Sequence, residues 1–182
     1  ALFLFLVLFG CTNKNKMNDN SNLPEDSLSS YLSMANDLQL PIKKKQEYNK
    51  KAFDIIVEQS NDSLNRVNLF KVANRYYNMN DWQGFNKTVE IVLENSKISK
   101  DTINTAKAYI YLGDYYSAQG VSDSAFMYYF RAEKMYLKLS DNYNLARARL
   151  NKALLQYNQS DLLGSEISVF KALSVIKGET SN

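Results

Sequence analysis

The sequence predicts an all-α fold of about four antiparallel helix hairpins stacked side by side. Small residues recur forty positions apart, at Ala73, Gly113 and Ala153. Between them, apolar residues follow the spacing of a helix rather than the alternation of a strand. The 182 residues include six glycines and two prolines, fewer than a β-sandwich or barrel needs for its turns. We therefore expect a helical repeat domain over residues 26–178, followed by a short tail at 179–182.

Composition argues against most enzyme classes. The chain has no histidine and one cysteine, so Ser-His-Asp and Cys-His pairs, Cys/His zinc sites and histidine acid–base chemistry cannot be built. A hydrolase that uses carboxylates alone would need a deep pocket with two Asp or Glu side chains, and no such pair stands out. We expect no enzymatic activity, no cofactor and no metal. A formal net charge of +3 is too small to indicate nucleic acid as a partner.

The domain is preceded by an apolar segment at residues 1–10. It reads ALFLFLVLFG, nine apolar residues without a charge and then glycine. At about 1.5 Å per residue, ten residues span roughly half of a bilayer core, so a membrane-spanning helix is not expected. The segment fits the h-region of a secretory signal peptide. Because the basic residues expected before an h-region are missing, we expect this signal to be clipped in the sequence.

The only cysteine follows that segment directly. Leu8-Phe9-Gly10-Cys11 resembles the lipobox of bacterial lipoproteins, which implies cleavage before Cys11 and its lipidation. Residues 12–25 are polar and rich in asparagine, so we expect residues 11–25 to be a lipidated cysteine with a flexible, disordered tether. The lipoprotein resemblance places the chain in the cell envelope, anchored to a membrane. The periplasm is favoured over the cell surface because no acidic run follows the cysteine.

Polar residues mark the expected helix starts. Asp, Asn and Ser side chains accept hydrogen bonds from the free amides of a first helical turn. One set of helices is expected to open at Asn61, Asp101 and Asp141, and the other at Asp81, Ser122-Asp123 and Asp161.

A basic run, Lys43-Lys44-Lys45, follows Pro41. Positive charge in a first helical turn opposes the helix dipole, so this helix is expected to begin after Ile42. The run could contact anionic lipid or an acidic partner. A solvated helix face is the favoured interpretation.

Residues 106–139 resemble the tetratricopeptide (TPR) repeat. Its pattern positions are occupied by Tyr109, Leu112, Gly113, Tyr116, Ala125, Tyr129 and Ala132. The resemblance implies a right-handed α-solenoid with a 40-residue period, in which small residues let helices approach closely. The repeat packing residues are then Ala73, Gly113, Ala125, Tyr129, Ala132, Ala153 and Ala172. Arg149, Lys152 and Gln156 depart from the pattern because they replace large residues.

The TPR resemblance also implies a concave groove lined by the first helix of each hairpin. The second hairpin contributes Asn74, Tyr77 and Asn78, the third Lys107, Ile110, Asp114 and Ser117, and the fourth Arg147, Asn151, Leu154, Tyr157 and Asn158. Asparagine amides both donate and accept hydrogen bonds, which suits a peptide backbone. Only Asn74 and Arg147 fit the carboxylate clamp of chaperone-binding TPRs, so a C-terminal carboxylate ligand is not expected. The alternative is that these residues merely face solvent.

The predicted function is a membrane-anchored, non-enzymatic scaffold that binds a protein or peptide partner in this groove. No contact with nucleic acid is expected from these residues. The alternative is the N-terminal sensor region of a longer transcriptional regulator. In that reading the chain continues past Asn182 into a membrane helix and a DNA-binding helix-turn-helix.

Overall fold

A computed structural model describes residues 27–179, and in this range the chain forms eight α-helices and no strand. They are α1 (Leu28–Met34), α2 (Ile42–Val57), α3 (Ser63–Asn78), α4 (Trp82–Ile98), α5 (Thr102–Ala118), α6 (Ser122–Leu139), α7 (Asn142–Asn158) and α8 (Leu162–Glu179). The first is far shorter than the rest. The signal segment, Cys11, the tether and residues 180–182 lie outside the described residues. Each helix packs on the next along the chain.

From α3 onward, consecutive helices are joined by tight turns. One residue in each joint has a positive φ, between 54° and 73°: Asn80, Lys100, Gly120, Ser140 and Ser160. The next amide then bonds a carbonyl five residues back, as from Asp101 N to Ser96 O at 2.8 Å. This left-handed turn satisfies free carbonyls at the end of one helix and reverses the chain into the next.

Aspartates that follow these turns cap the next helix, as the sequence predicts. Asp81, Asp101, Asp141 and Asp161 each accept a hydrogen bond from the amide three residues on, at 2.9–3.1 Å. Turn and cap together occupy only two or three residues. The helices therefore follow one another with almost no loop, which fixes the register between neighbouring helices.

Two of the expected capping residues are wrong, although α6 begins at Ser122 as expected. Asp62 caps α3, through its bond from Asn65 N at 2.8 Å, whereas Asn61 donates across to Asn95 O at 3.0 Å. Helix α6 follows Val121, which offers no side-chain cap, so Ser122 lies inside the first turn.

The start of α2 also differs from expectation, because the helix begins at Ile42 with Pro41 at the N-cap. Proline is favoured at a helix start, where its missing N–H has no carbonyl to bond. Glu47 offsets the nearby positive charge, since it accepts a bond from Lys44 at 3.0 Å and pairs with Lys51 at 3.3 Å. Lys43 and Lys44 are exposed on this helix face.

The seven residues expected at packing positions are all buried: Ala73, Gly113, Ala125, Tyr129, Ala132, Ala153 and Ala172. Gly113 has the most demanding position. A Cβ atom there would overlap the ring of Tyr129 on the neighbouring helix. The absence of a side chain therefore allows α5 and α6 to pack with the Tyr129 ring directly against the α5 backbone.

Three largely buried ion pairs connect different helices or their caps. Arg66 on α3 donates from Nε to Asp101 Oδ2 at 3.0 Å, and its Nη1 reaches Asn61 and Ser99. Glu133 on α6 accepts from both Arg149 at 2.9 Å and Lys152 at 2.7 Å. Two of the residues that depart from the TPR pattern on α7 are therefore paired with an acid on α6, whereas the third, Gln156, donates to Asp161 at 2.8 Å.

No helix within residues 27–179 has the length and apolar character needed to cross a membrane.

Candidate partner-binding groove

Helices α3, α5 and α7 lie next to one another and share one face, here called the α3–α5–α7 surface. The rings of Phe70 on α3 and Tyr111 on α5 are 5.0 Å apart, and Asn151 on α7 donates to Asp114 on α5 at 3.3 Å. A cavity of about 260 Å³ opens on this surface. It is lined by Tyr77, Asp114, Ser117, Ala118, Tyr129, Asn151, Leu154 and Leu155. The structure thus brings together five of the expected groove residues, from all three helices.

Asp114 is the only carboxylate that lines the cavity. Its Oδ1 atom accepts hydrogen bonds from the Tyr129 hydroxyl at 2.8 Å and from Asn151 Nδ2 at 3.3 Å. Burial raises the pKa of Asp114, while the Tyr129 bond and the Arg147 charge offset part of that effect. Burial and the neighbouring Asp114 strongly raise the pKa of Tyr129, so its hydroxyl remains a donor.

Two cations on the α3–α5–α7 surface, Lys107 on α5 and Arg147 on α7, form no ion pair with any side chain in residues 27–176. Lys107 places Nζ 4.3 Å from the centroid of the Phe70 ring, a cation–π contact. Burial, and then the charge of Arg147, lower the pKa of Lys107. Arg147 is exposed. These side chains are therefore placed to attract an anionic group that approaches the surface.

Asn74 and Tyr77 bring polar and aromatic groups from α3. Burial raises the pKa of Tyr111, and its hydrogen bond with Asn74 offsets part of this increase. Tyr77 packs edge-on against Trp82, with ring centroids 5.2 Å apart. Its ring is partly exposed at the rim of the cavity.

Comparison with solved structures identifies the fold. The chain is similar to the crystal structure of BtubC (BKLC) from P. vanneervenii, with a TM-score of 0.72 and 17% sequence identity. The chain is a helical repeat protein. The structural alignment covers 85% of this chain and 65% of the BtubC chain. At this sequence identity, the similarity concerns the fold alone. No protein-family model and no curated protein matches the chain.

The helical repeat places the other expected groove residues differently. Asn78, Tyr157 and Asn158 are exposed near the C-terminal ends of α3 and α7 and do not line the cavity. The expected groove position of Ile110 is wrong, because this residue is 2% exposed and belongs to the apolar core. Its side chain points between packed helices, so it cannot contact a partner on this surface.

The hydroxyl of Tyr129 was not expected on this surface. Tyr129 packs its ring on Gly113 but delivers its hydroxyl to Asp114. The sequence contained one signal for this contact, a tyrosine rather than a phenylalanine at a packing position. A buried tyrosine hydroxyl requires a hydrogen-bond partner.

No three His, Cys, Asp or Glu side chains converge anywhere in the described part of this helical repeat.

Proposed function

We propose that this helical repeat protein is a membrane-anchored, TPR-like scaffold that binds a peptide or protein partner on the α3–α5–α7 surface. The proposal includes a right-handed solenoid with a 40-residue period. Support for the period comes from the starts of α4, α6 and α8 at Trp82, Ser122 and Leu162. The scaffold carries no catalytic machinery in this proposal.

The combination of groups around Asp114 carries the proposal. The cavity presents the Asn151 amide and the partly exposed Tyr77 ring beside Asp114. Outside the cavity, the same three helices carry Asn74 and two cations, Lys107 and Arg147, which form no ion pair with any side chain in residues 27–176. Such a surface pairs with carboxylates through Lys107 and Arg147, and with backbone groups through Asn74 and Asn151. Leu154, exposed at the cavity rim, adds an apolar contact. These are the elements of a mixed polar and apolar peptide site.

Affinity capture from envelope extracts tests this function. The variant Arg147→Glu/Leu154→Asp reverses one charge and removes one apolar contact from the surface. Leu137→Asp is the matched control, because Leu137 is as exposed as Leu154 but lies on α6. We expect the double variant to lose partners that wild type and the control retain. Equal capture by all three proteins would contradict the proposal, as would equal capture by an Asn74, Asn78, Tyr157 triple alanine variant that retains the fold.

The proposed anchor is tested separately at Cys11, which lies outside the described residues. Cys11→Ala is expected to block both the incorporation of labelled fatty acid and the cleavage of the signal. A mutant protein that is labelled or cleaved as wild type is would contradict lipidation without affecting the groove proposal.

A second candidate is the N-terminal sensor region of a longer regulator. The exposure of Leu150 favours this candidate. Ile110 holds the equivalent position forty residues earlier, in a helix pair that another pair follows, and it is buried, whereas Leu150 is exposed. In this candidate a further helix pair covers Leu150, and a membrane helix and a DNA-binding domain follow. The coding sequence downstream of Asn182 decides between the candidates: an immediate stop excludes the regulator, and a long apolar run with a basic helical domain excludes the free scaffold.

A further inference from the structure

The outward face of α8 has an apolar stripe with one charge on each edge. Leu163, Ile167 and Phe170 follow one another at intervals of four and three residues, and they are 69%, 46% and 62% exposed. At helical spacing, Glu166 lies along one edge of the stripe and Lys171 along the other. Neither forms an ion pair with any side chain in residues 27–176. Exposed apolar stripes of this kind mark contact surfaces.

A further helix pair stacked after α8 would cover this stripe only in part. The corresponding residues on α6, Met127 and Phe130, are still 41% and 42% exposed although α7 and α8 follow them, and Lys152 of α7 places Nζ 5.3 Å from the centroid of the Phe130 ring. A following pair covers another position far more completely: Ile110 is 2% exposed, whereas its counterpart Leu150 is 44% exposed. By this comparison, much of the α8 stripe stays exposed even where the stack continues.

We propose that the α8 stripe joins two copies of this chain as a parallel homodimer. In a parallel helix pair, consider the residue that directly precedes an apolar contact residue on one helix. It faces the residue on the other helix whose number is higher by five. Glu166 of one copy then faces Lys171 of the second copy, and the two-fold axis repeats this pair. An antiparallel arrangement brings each edge against the same edge of the other copy, so that Glu166 lies beside Glu166. The charges thus select the parallel dimer.

The parallel arrangement fits an anchored protein, because both chains then leave the dimer in the same direction. Two α3–α5–α7 surfaces also become linked, so a partner with two binding segments gains effective concentration. The dimer itself does not depend on the groove proposal, since none of its residues lines the cavity.

Charge reversal in two-tag co-capture tests the dimer. The full chain is expressed with two different tags and extracted in detergent, and wild-type copies are expected to capture each other. Glu166→Lys on both copies, or Lys171→Glu on both, places four like charges at the interface and is expected to abolish capture. Mixing the Glu166→Lys copy with the Lys171→Glu copy restores opposite charges at both pairs and is expected to restore capture.

Phe170→Asp is expected to abolish capture as well, while Leu38→Asp, on an exposed turn, leaves it unchanged. Thermal unfolding followed by circular dichroism shows that each variant is folded. Absence of capture between wild-type copies would overturn the proposal, as would capture that survives both single reversals or fails for the mixed pair. Capture lost in Leu150→Asp but retained in Phe170→Asp would also overturn it, because the contact would then lie at the end of the stack.

Discussion

The hydroxyl of Tyr129 donates to Asp114 at 2.8 Å, while the ring of the same tyrosine lies on the backbone of Gly113. One side chain thereby connects the packing of α5 on α6 with the polar centre of the α3–α5–α7 surface. Packing and site are consequently coupled. A change that displaces this ring alters both the stability of the hairpin and the position of a carboxylate that lines the cavity.

Gly113→Ala is the direct test of this coupling. The added methyl group occupies space held by the Tyr129 ring, and relief requires the ring or the helix to move. We expect a loss of about 1–3 kcal/mol in the free energy of unfolding, the usual cost of overpacking. Urea denaturation measures it. Gly120→Ala is the control, because its positive φ makes it costly through backbone strain although no side chain is displaced. Unchanged partner binding for Gly113→Ala, or the same loss of binding for Gly120→Ala, would contradict the coupling.

The carboxylate of Asp114 predicts a particular pH dependence. Burial raises the pKa of Asp114 in the folded state, so its ionisation opposes folding. The stability associated with the protonated form is complete below the ordinary aspartate pKa of about 3.9 and is lost as pH rises through the higher folded value. Asp114→Asn keeps an acceptor for Tyr129 without the charge. We expect the variant to equal or exceed wild type in melting temperature at about pH 7, and to lose that advantage towards about pH 4.

A melting-temperature difference between wild type and Asp114→Asn that is independent of pH would contradict this prediction. Tyr129→Phe provides the control, because it removes the donor and leaves the carboxylate buried. That variant is expected to be less stable than wild type by about 1–3 kcal/mol at neutral pH, the cost of an unsatisfied buried group.

Arg66 joins α3 to the cap of α5. Its guanidinium is buried and donates from Nε to Asp101 and from Nη1 to both Asn61 and Ser99. Arg66→Ala leaves Asp101 without its cation, and we expect a loss of about 3 kcal/mol in unfolding free energy. Arg66→Lys keeps the charge but cannot reproduce the fork of donors, so it should recover only part of the loss. Full recovery by lysine would show that charge alone matters.

Glu133 predicts the opposite pH dependence from Asp114. Burial favours its neutral form, but the pairs with Lys152 and Arg149 outweigh this and lower the pKa of Glu133. Its contribution to stability is therefore present above the ordinary glutamate pKa of about 4.3 and is lost as pH falls through the lower folded value. Glu133→Gln leaves two cations unpaired and is expected to cost about 3 kcal/mol at neutral pH. The cost should shrink in acid, and a constant difference in chemical denaturation across pH would contradict the assignment.

Local signals in the sequence were sufficient for most of the fold. An aspartate at a helix start acts within one helical turn, and small residues at intervals of forty mark the repeated helix contacts. The helices and four of the caps could therefore be predicted. Asn61 and Asp62 show the limit: both are competent caps, and the choice depends on Asn61 reaching Asn95 on α4. Val121 precedes a helix without any cap signal.

The candidate site was only partly predictable, because its contacts join distant parts of the chain. Asp114 and Asn151 are 37 residues apart and meet only when α5 and α7 are packed. The TPR resemblance that implied a groove position for Asp114 also implied one for Ile110, although packing buries Ile110. The pairing of Glu133 with Arg149 and Lys152 likewise depends on the register between α6 and α7.

The α3–α5–α7 surface is proposed to bind a protein or peptide partner. Photo-crosslinking in cells measures this directly, with a photoreactive amino acid at Leu154 on the cavity rim and, as the control, at Leu137 on α6. We predict a discrete crosslinked species from position 154 that is absent from position 137 and is lost when Arg147→Glu is added. Equal crosslinking from both positions, or none from position 154, would contradict the claim.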